Sequence, residues 1–575
     1  MKPPVQLTLK NPIPIIFGLF AIAVVSLLFT FIQQDSRVQI DTARTSYIVQ
    51  ASSLDQAVRA VEDVGGKITH ELGIINAVSA ELTAHELRTL QSIDNLKIHI
   101  DRQAEVVGSK SSKTAGSIAE TGYPTVIGAD LLHREGIDGY GITIAVIDTG
   151  LWNEWGLQDN NYGEYRVLAQ YDATKSMKSG KSAKFYKSAK ERFDRDVGDA
   201  SGHGTHVSAV ALSSDVAQQT GNYQGIAPAA DIVVIKAFDD DGKGSYRDII
   251  AGLDFVVTRS QAYGIKVINL SFSAPIQSYY WEDPLNQAVM AAWKAGMVVV
   301  TSAGNGGPIP MSIGVPGNVP YVITVGAITD NYTPGFGDDD MLASWSGAGP
   351  TYEGFIKPDI VAPGGHMLAW IAPDGLIPEE HPEHWDEDGK FYSMSGTSQA
   401  AAVASGVVAL MLQDQPWLTP DDVKCRLMAS ARIAVQTKAS GDLLYSPFQQ
   451  GAGRIDAYAA VNSSDTGCAN GGLDIDLDVS GAGHFVGPTR QDAMGNYYVD
   501  GVGCYWDGSM TQASSPWISG NPFVDGNPFV DGNPFVDGNP FVDGNPFVDG
   551  DLFIDGNPFV DIKQKIYIDT WAEEE

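Results

Sequence analysis

The strongest constraint on the fold is a long alternation of short apolar segments and helical segments between residues 126 and 462. Five of the apolar segments read ITIAVID, DIVVIKAF, KVINLSF, MVVVTSAGN and VPYVITVGA. Stretches such as YRDIIAGLDFVVTRS and DPLNQAVMAAWKAG lie between them and carry apolar residues at helical spacing. This order predicts an α/β fold, in which helices cover both faces of a parallel sheet.

Length and charge limit the classes of protein that fit. A chain of 575 residues predicts about three or four segments, and an apolar fraction of 43% excludes wholesale disorder. The 37 basic and 70 acidic residues give a net charge of -33, which repels phosphate backbones. We therefore expect a soluble, exported protein with no nucleic-acid partner.

The N-terminus predicts a membrane segment. Residues 13–32 (IPIIFGLFAIAVVSLLFTFI) carry no charge and are long enough to cross a bilayer as a helix. Only basic charges precede them, so residues 1–12 are predicted in the cytoplasm and the rest of the chain outside it. No small-residue cleavage pattern follows, which favours an uncleaved signal anchor in the cytoplasmic membrane. Cleavage elsewhere, followed by secretion, remains the alternative.

Residues 46–101 predict a small α+β module. The expected elements are strands at Tyr47–Val49, Ile74–Leu82 and Ile98–Ile100 and a helix at Leu54–Val64. Thr83 and Glu86 form a capping box that begins a second helix. Residues 102–125 then act as a linker, whose polar centre VGSKSSKTAGSIAET is expected to be flexible and open to proteases.

The C-terminus contains a repeat. A Gly-rich extension, residues 463–514, leads into eight hexapeptides, five of them NPFVDG, at residues 515–562. Proline excludes a continuous helix, so we expect a stacked or extended spacer, with Ca²⁺ binding by the spaced aspartates or disorder as alternatives. Residues 563–575 predict a last strand and an acidic end.

Two further features leave alternatives open. Six lysines recur at every third residue from Lys175 to Lys190, which indicates an exposed loop or a surface that docks an acidic part of the chain. Cys425 lies in an apolar helical pattern and is expected to be a buried free thiol. Cys468 and Cys504 could pair in an oxidising compartment, but disulfides are not expected to hold the fold together.

Three segments supply the groups that acyl transfer needs. Asp148 ends the strand ITIAVID, His203 lies in GHGTH at the start of a helix, and Ser398 in SGTSQA precedes an Ala- and Val-rich helix. A serine hydroxyl needs a base, and that base needs an acid to orient it. Asn305 ends another strand, and its amide could stabilise an oxyanion together with the Ser398 N–H.

These segments, with the flanking GIAPAADIVVIKA, VPGNVPYVITVGA, KPDIVAPG and GAGRIDAYAAV, resemble the subtilisin-like serine peptidases, or subtilases, over residues 126–462. The resemblance implies that Asp148 orients His203 and that His203 acts as general base and then acid. It implies Ser398 as the nucleophile and Asn305 in the oxyanion hole. It also implies a substrate-binding set that pairs with an extended peptide and lines the first specificity pocket: Gly244, Ser245, Tyr246, Leu270, Ser271, Phe272, Ser273, Ser302, Ala303 and Gly304.

The same resemblance extends beyond the catalytic residues. Residues 46–101 are similar to the inhibitory propeptide of subtilases, and the linker at 102–125 would contain the autocleavage point. The chemistry requires no cofactor, and structural calcium is expected from the likeness alone, with no ligand set readable. Two positions depart from the family pattern, since Gln399 replaces the usual Met and Ala402 the usual Pro.

We therefore predict an extracytoplasmic serine endopeptidase that hydrolyses extended protein substrates through an acyl-enzyme and is made as a self-processing zymogen. One alternative is an aspartic protease, because Asp-Thr-Gly occurs at Asp148–Gly150 and again at Asp465–Gly467. The other is an inactive, membrane-tethered binding or scaffold protein.

Overall fold

The structure is a computed structural model. It describes residues 43–106, 122–152, 155–175, 197–218, 220–330, 340–434, 443–500 and 505–509. Several sequence predictions lie outside these residues: the N-terminal segments 1–12 and 13–32, the centre of the linker, nearly all of the lysine-rich loop, Cys504, the hexapeptides and the C-terminal end. No helix among the described residues is both long enough and apolar enough to cross a membrane.

The described part of the chain forms two compact units. The first contains residues 43–71 and 76–100, and the second contains residues 72–75 and everything from Asp101 onward. Elements of the first unit are β1 Arg44–Gln50, α1 Leu54–Asp63, β2 Lys67–Leu72, β3 Ala77–Thr83, α2 Ala84–Gln91 and β4 Lys97–Ile100. Its sheet has the order β2-β3-β1-β4, with β1 antiparallel to both of its neighbours.

Local sequence explains most of this first unit. The capping box of Thr83 and Glu86 is present at the start of α2, and the apolar faces of both helices meet the sheet in one core. The predicted strand Ile74–Leu82 is wrong at its start. Residues 73–75 form a 3₁₀ turn and Asn76 has a φ of 54°, so the strand begins only at Ala77. Strand β2 was not predicted.

A sheet of eight strands forms the centre of the second unit. These strands are β6 Thr143–Asp148, β7 Val167–Asp172, β8 Asp231–Lys236, β10 Ile265–Leu270, β12 Val298–Ser302, β13 Ile323–Thr329, β14 Met341–Leu342 and β15 Ile360–Pro363. The order is β14-β13-β12-β10-β6-β8-β7, and β15 also pairs with β13. Every pair is parallel except β13 with β14, which confirms the predicted α/β sheet.

Helices cover this sheet on both faces. The helices are α3 Tyr123–Val126, α4 Ala129–Arg134, α5 Trp155–Gln158, α6 His203–Leu212, α7 Tyr246–Tyr263, α8 Pro284–Lys294, α9 Leu376–Glu380, α10 Thr397–Asp414, α11 Pro420–Ser430, α12 Pro447–Gln450, α13 Ala457–Asn462 and α14 Ile475–Ser480. Helices α6 and α10 pack together on one face, and α7 and α8 pack together on the other. Strands β6 and β12 are buried along their whole length, as expected for a covered parallel sheet.

Three small antiparallel sheets complete the second unit. Their strands are β5 Gln103–Val106, β9 Lys243–Ser245, β11 Phe272–Ser273, β16 Met367–Ala369, β17 Tyr392–Met394, β18 Thr489–Gln491, β19 Tyr497–Val499 and β20 Tyr505–Trp506. Strand β5 lies between β9 and β11, β16 pairs with β17, and β18 to β20 form a meander in the C-terminal extension. Residues 103–106, placed in the linker from sequence, are therefore a strand in the second unit.

Cys425 is buried as predicted, but the predictions for cysteine pairing are wrong. Cys425 on α11 forms a disulfide with Cys468, with Cα atoms 5.0 Å apart. Helices α11 and α13 pack together, and Cys468 follows α13, so tertiary packing brings the two thiols into contact. Cys425 is therefore not a free thiol. Because Cys468 is bonded to Cys425, it does not pair with Cys504, and a disulfide does crosslink the fold.

Candidate active site

The carboxylate of Asp148 and the imidazole of His203 meet at the end of strand β6. The His203 Nδ1–H donates to Asp148 Oδ1 at 2.7 Å, and both side chains are buried. The Thr149 N–H donates to the same oxygen at 2.7 Å. Thr149 leads directly into Gly150, where the φ is 132° and a Cβ would overlap the Gly198 carbonyl. This turn lets the carboxylate leave the strand and orient the imidazole.

Asp199 positions the segment that carries His203, and the sequence reasoning missed it. Its Oδ1 accepts from the Gly202 N–H at 2.9 Å and from the Thr149 hydroxyl at 2.7 Å. Its Oδ2 accepts from the N–H of Thr205 at 2.8 Å and from the Thr205 hydroxyl at 2.6 Å. The sequence did contain a signal for this role, because Asp199 is an acidic residue shortly before the start of helix α6.

His206 is a buried structural histidine next to the predicted catalytic one. Its Nε2–H donates to the carbonyl oxygens of Met367 and Tyr392, each at 3.0 Å. The Gln399 amide lies 3.4 Å from His206 Nδ1, so this side chain connects the first turn of α6 to the first turn of α10. Burial, with a smaller contribution from the nearby His203, lowers the pKa of His206 to about 4. His206 is therefore neutral at pH 7.

Ser398 lies in the first turn of α10, directly before Gln399. Its hydroxyl donates to the Ser271 carbonyl oxygen at 3.0 Å, and the Ser271 hydroxyl donates back to the Ser398 carbonyl oxygen at 3.0 Å. The side chain is fully buried, and the helix places it at the positive end of the backbone dipole. These bonds fix Ser398 against the residue that follows strand β10, and helix α10, which carries Ser398, packs against helix α6, which begins with His203.

Asn305 contacts Thr397, the residue that precedes Ser398. Its Oδ1 accepts from the Thr397 N–H at 3.0 Å and from the Thr397 hydroxyl at 2.9 Å. Its buried Nδ2 has no hydrogen-bond partner among the described residues. One end of the amide is thus held by the residue before Ser398, and the other end presents a donor, as an oxyanion hole requires.

The predicted substrate-binding residues lie in β9, in β11 and in segments next to them, and we call the space between β9 and β11 the cleft. Gly244 and Ser245 belong to β9, Phe272 and Ser273 form β11, and the Ser302 hydroxyl donates to the Phe272 carbonyl oxygen at 3.0 Å. Tyr246 begins α7, while Leu270 and Ser271 connect β10 to β11. Ala303 and Gly304 follow β12, and the Gly304 N–H donates to the Thr397 hydroxyl at 3.1 Å. Strand β5 occupies the space between β9 and β11.

The two Asp-Thr-Gly segments do not form a carboxylate pair. Asp148 contacts His203, whereas Asp465 is exposed and accepts from the Ser463 hydroxyl at 2.7 Å. An aspartic protease needs two carboxyl groups that share one proton. The geometry gives no support to that alternative.

Calcium ligands are not apparent in the described part of the chain. His381, Glu383 and His384 place three ligand atoms within 4.8 Å of one another. Two of these atoms are imidazole nitrogens, whereas Ca²⁺ takes oxygen ligands. The calcium expectation therefore stays a prediction.

Comparison with known proteins gives consistent results. A family model described as "Subtilase family" matches residues 139–453. Serine protease AprX of Bacillus subtilis (strain 168) is 33% identical over 367 residues, which cover 62% of this chain and 74% of that protein. Subtilisin E of the same organism is 25% identical over 405 residues, which cover 70% of this chain and 84% of subtilisin E.

A solved structure has the same fold. It is fervidolysin from Fervidobacterium pennivorans, described as a keratinolytic enzyme related to subtilisin, with a TM-score of 0.53 and 23% sequence identity. The match covers 73% of this chain and 61% of the fervidolysin chain. At this identity the likeness shows the fold alone.

Proposed function

Because this chain belongs to the subtilase family of serine endopeptidases, we propose that it is an exported enzyme, made as an inactive precursor that cleaves itself. The mature enzyme then hydrolyses extended segments of protein substrates. Asp148, His203, Ser398 and Asn305 carry the chemistry, and residues 46–101 act as the inhibitory propeptide.

The hydrogen bonds at the site support these roles. Asp148 holds His203 by Nδ1, which assigns proton transfer to Nε2. Ser398 Oγ attacks the substrate carbonyl, His203 takes the hydroxyl proton, and the developing oxyanion lies against Asn305 Nδ2 and the Ser398 N–H. His203 then delivers the proton to the leaving amine, the C–N bond breaks, and water hydrolyses the acyl-enzyme.

The observation that carries the precursor proposal is the position of strand β5 in the cleft. Gln103, Ala104 and Glu105 pair with β9, while Glu105 and Val106 pair with β11. The Val106 N–H donates to the Gly242 carbonyl oxygen at 2.9 Å. The chain's own residues therefore make the backbone pairing that an extended substrate would make, by addition of a strand. The burial of Ser398 and His203 also supports an occupied, inactive cleft.

Two observations favour export. The apolar segment at residues 13–32 is a signal anchor or signal peptide by its sequence. The disulfide between Cys425 and Cys468 is typical of an oxidising compartment outside the cytoplasm. We propose that the catalytic unit works there, either tethered by the segment or released after cleavage.

The test compares residues 34–575 with the Ser398→Ala variant and identifies new N-termini by mass spectrometry. Strand β5 ends at Val106, so we expect the wild-type chain to be cut within residues 107–121. The Ser398→Ala variant should stay whole. Ser480→Ala, which removes an exposed hydroxyl in the C-terminal extension, is the matched control and should be processed like the wild type. Equal processing of Ser398→Ala and wild type would contradict self-cleavage.

A further inference from the structure

An ion pair lies at the upstream end of the strand that occupies the cleft. Arg102 immediately precedes β5, and its Nη1 donates to Asp283 Oδ2 at 3.0 Å. The Asp283 side chain is 1% exposed and the Arg102 side chain is 19% exposed. The Asp283 carboxylate is therefore almost entirely removed from water, and a buried charge needs a partner.

Asp283 is fixed in place by the element that it caps. It is the N-cap of α8, and its Oδ1 accepts from the Leu285 N–H at 2.9 Å and from the Asn286 N–H at 3.2 Å. Its Oδ2 faces the cleft side, where it receives Arg102 and a longer bond of 3.4 Å from the Tyr246 hydroxyl. Burial raises the pKa of Asp283, while the Arg102 charge lowers it. The carboxylate is thus preorganised for a cation.

Tyr246 also contacts Arg102 and fixes the register of the strand that follows Arg102. The Arg102 guanidinium lies 6.0 Å from the centre of the fully buried Tyr246 ring, at the limit of cation–π contact. The Tyr246 N–H donates to the Arg102 carbonyl oxygen at 2.8 Å, which continues the pairing between β5 and β9 by one residue. Any extended peptide in this register places one side chain against Asp283.

We propose that Asp283 and Tyr246 form a subsite for a basic side chain of the substrate, four residues before the position that Val106 occupies. This inference rests on the proposed function, because it takes β5 as an image of the substrate. When the cut propeptide leaves, Arg102 leaves with it, and Asp283 Oδ2 keeps only the long bond to Tyr246. A substrate arginine restores the buried ion pair, so binding of arginine is favoured over a neutral side chain.

The test uses the mature enzyme, isolated after self-processing, and two quenched fluorescent peptides with the sequence of residues 99–121, which span the whole segment in which the cut is expected. One peptide keeps the arginine of position 102, and the other has citrulline there, which has nearly the same shape but no charge. We expect wild-type kcat/KM to be at least about tenfold higher for the arginine peptide. In Asp283→Asn, whose amide can still cap α8, this ratio should fall to about one.

A matched control comes from another buried N-cap. Asp456 caps α13 and accepts from Arg432 Nε at 2.6 Å, so Asp456→Asn removes a comparable charge elsewhere and should keep the wild-type ratio. Equal hydrolysis of both peptides by wild type, or an equal fall of the ratio in both variants, would overturn the subsite. If that hydrolysis still disappears in Ser398→Ala that has been processed by a trace of tagged wild type, which is then removed, the proposed function stands without the subsite. If hydrolysis does not depend on Ser398, the proposed function and the subsite both fail.

Discussion

The side chains of His203 and Asn305 each use one polar atom for position, and the second polar atom of each is the one assigned to the chemistry. His203 is held at Nδ1 by Asp148, the last residue of strand β6, and Asn305 is held at Oδ1 by Thr397, the first residue of helix α10. Asp148 is held by the N–H of the residue that follows it. The orientation of the site thus comes from short local contacts, which keep the donor and the base preorganised.

Asn305→Asp tests the oxyanion role at a single atom. Aspartate keeps an oxygen that accepts from Thr397 but replaces the Nδ2 donor with a negatively charged acceptor. We expect kcat to fall by at least about 100-fold with a much smaller change in KM, a magnitude taken from subtilisin itself. Steady-state kinetics of the mature enzyme on one peptide substrate provides the measurement.

The control for this variant is its thermal midpoint, which should stay within a few degrees of the wild type. A variant that keeps most of its kcat would show that Asn305 does not stabilise the transition state. A loss seen in KM alone would assign Asn305 to substrate binding instead.

Sequence patterns located the proposed catalytic residues because each one ends a strand or begins a helix with a recognisable apolar run. Asp199 lies in a loop, where no period marks it, and its role depends on contacts with Thr149 and Thr205 that only the fold creates. Gln399 was recognised as a departure, but its contact with His206 across two helices was not predictable.

At the scale of elements, helix α11 is tied to the chain that follows α13 by the Cys425–Cys468 disulfide. Its loss should lower the free energy of unfolding by about 4 kcal/mol for a crosslink of this span, according to the chain-entropy relation. We predict that Cys468→Ala unfolds at a clearly lower denaturant concentration. The measurement is made in the Ser398→Ala background, which prevents self-digestion.

Thiol counting checks the pairing directly. The chain has three cysteines, so the denatured, unreduced protein should alkylate at one position, Cys504, and the reduced protein at three. Cys504→Ser should keep the unfolding midpoint of its parent. Alkylation of Cys425 without a reductant would contradict the disulfide.

Local sequence predicted the regular elements β6, β12 and α2 well, since β6 and β12 are short, continuous apolar runs and α2 begins at a capping box. It could not predict β5, which is short and pairs with β9 and β11, two segments far along the chain. The 3₁₀ turn before Asn76 was missed for a related reason, because an apolar run does not distinguish a strand from a turn.

For the second unit as a whole, the backbone of the buried residue Glu353 connects the catalytic fold to the C-terminal extension, and its carboxyl group lies at the same junction. Glu353 Oε1 accepts from the Tyr280 N–H at 2.8 Å, and the Glu353 carbonyl oxygen accepts from the Gly487 N–H at 2.8 Å. Burial, with a smaller contribution from the negative charge of Asp478, raises the pKa of Glu353 from 4.5 to about 7. The folded state therefore binds this proton more tightly than the unfolded state.

This shift predicts how stability depends on pH. Between pH 4.5 and about 7, Glu353 has lost its proton in the unfolded state but keeps it in the folded state. The stability that this proton contributes is therefore full below pH 4.5 and decreases as pH rises through this window. Glu353→Gln keeps an acceptor for Tyr280 and cannot titrate. Between pH 4 and pH 9, the free energy of unfolding of the variant should rise by on the order of 3 kcal/mol relative to that of the wild type.

Denaturant unfolding at several pH values, in the Ser398→Ala background, measures this difference. Glu282→Gln, at an exposed glutamate of the same unit, is the control and should follow the parent. Parallel pH profiles for Glu353→Gln and its parent would show that the buried carboxyl does not titrate in this range.

The central claim is that His203 activates Ser398 as the nucleophile, and a serine-directed fluorophosphonate tests it most directly. The mature enzyme is labelled, digested and mapped by mass spectrometry, beside His203→Ala processed by a trace of tagged wild type that is then removed. We predict one adduct, on Ser398, and labelling at least about 100-fold slower in His203→Ala. An adduct on another residue, or equal rates in the two proteins, would contradict the claim.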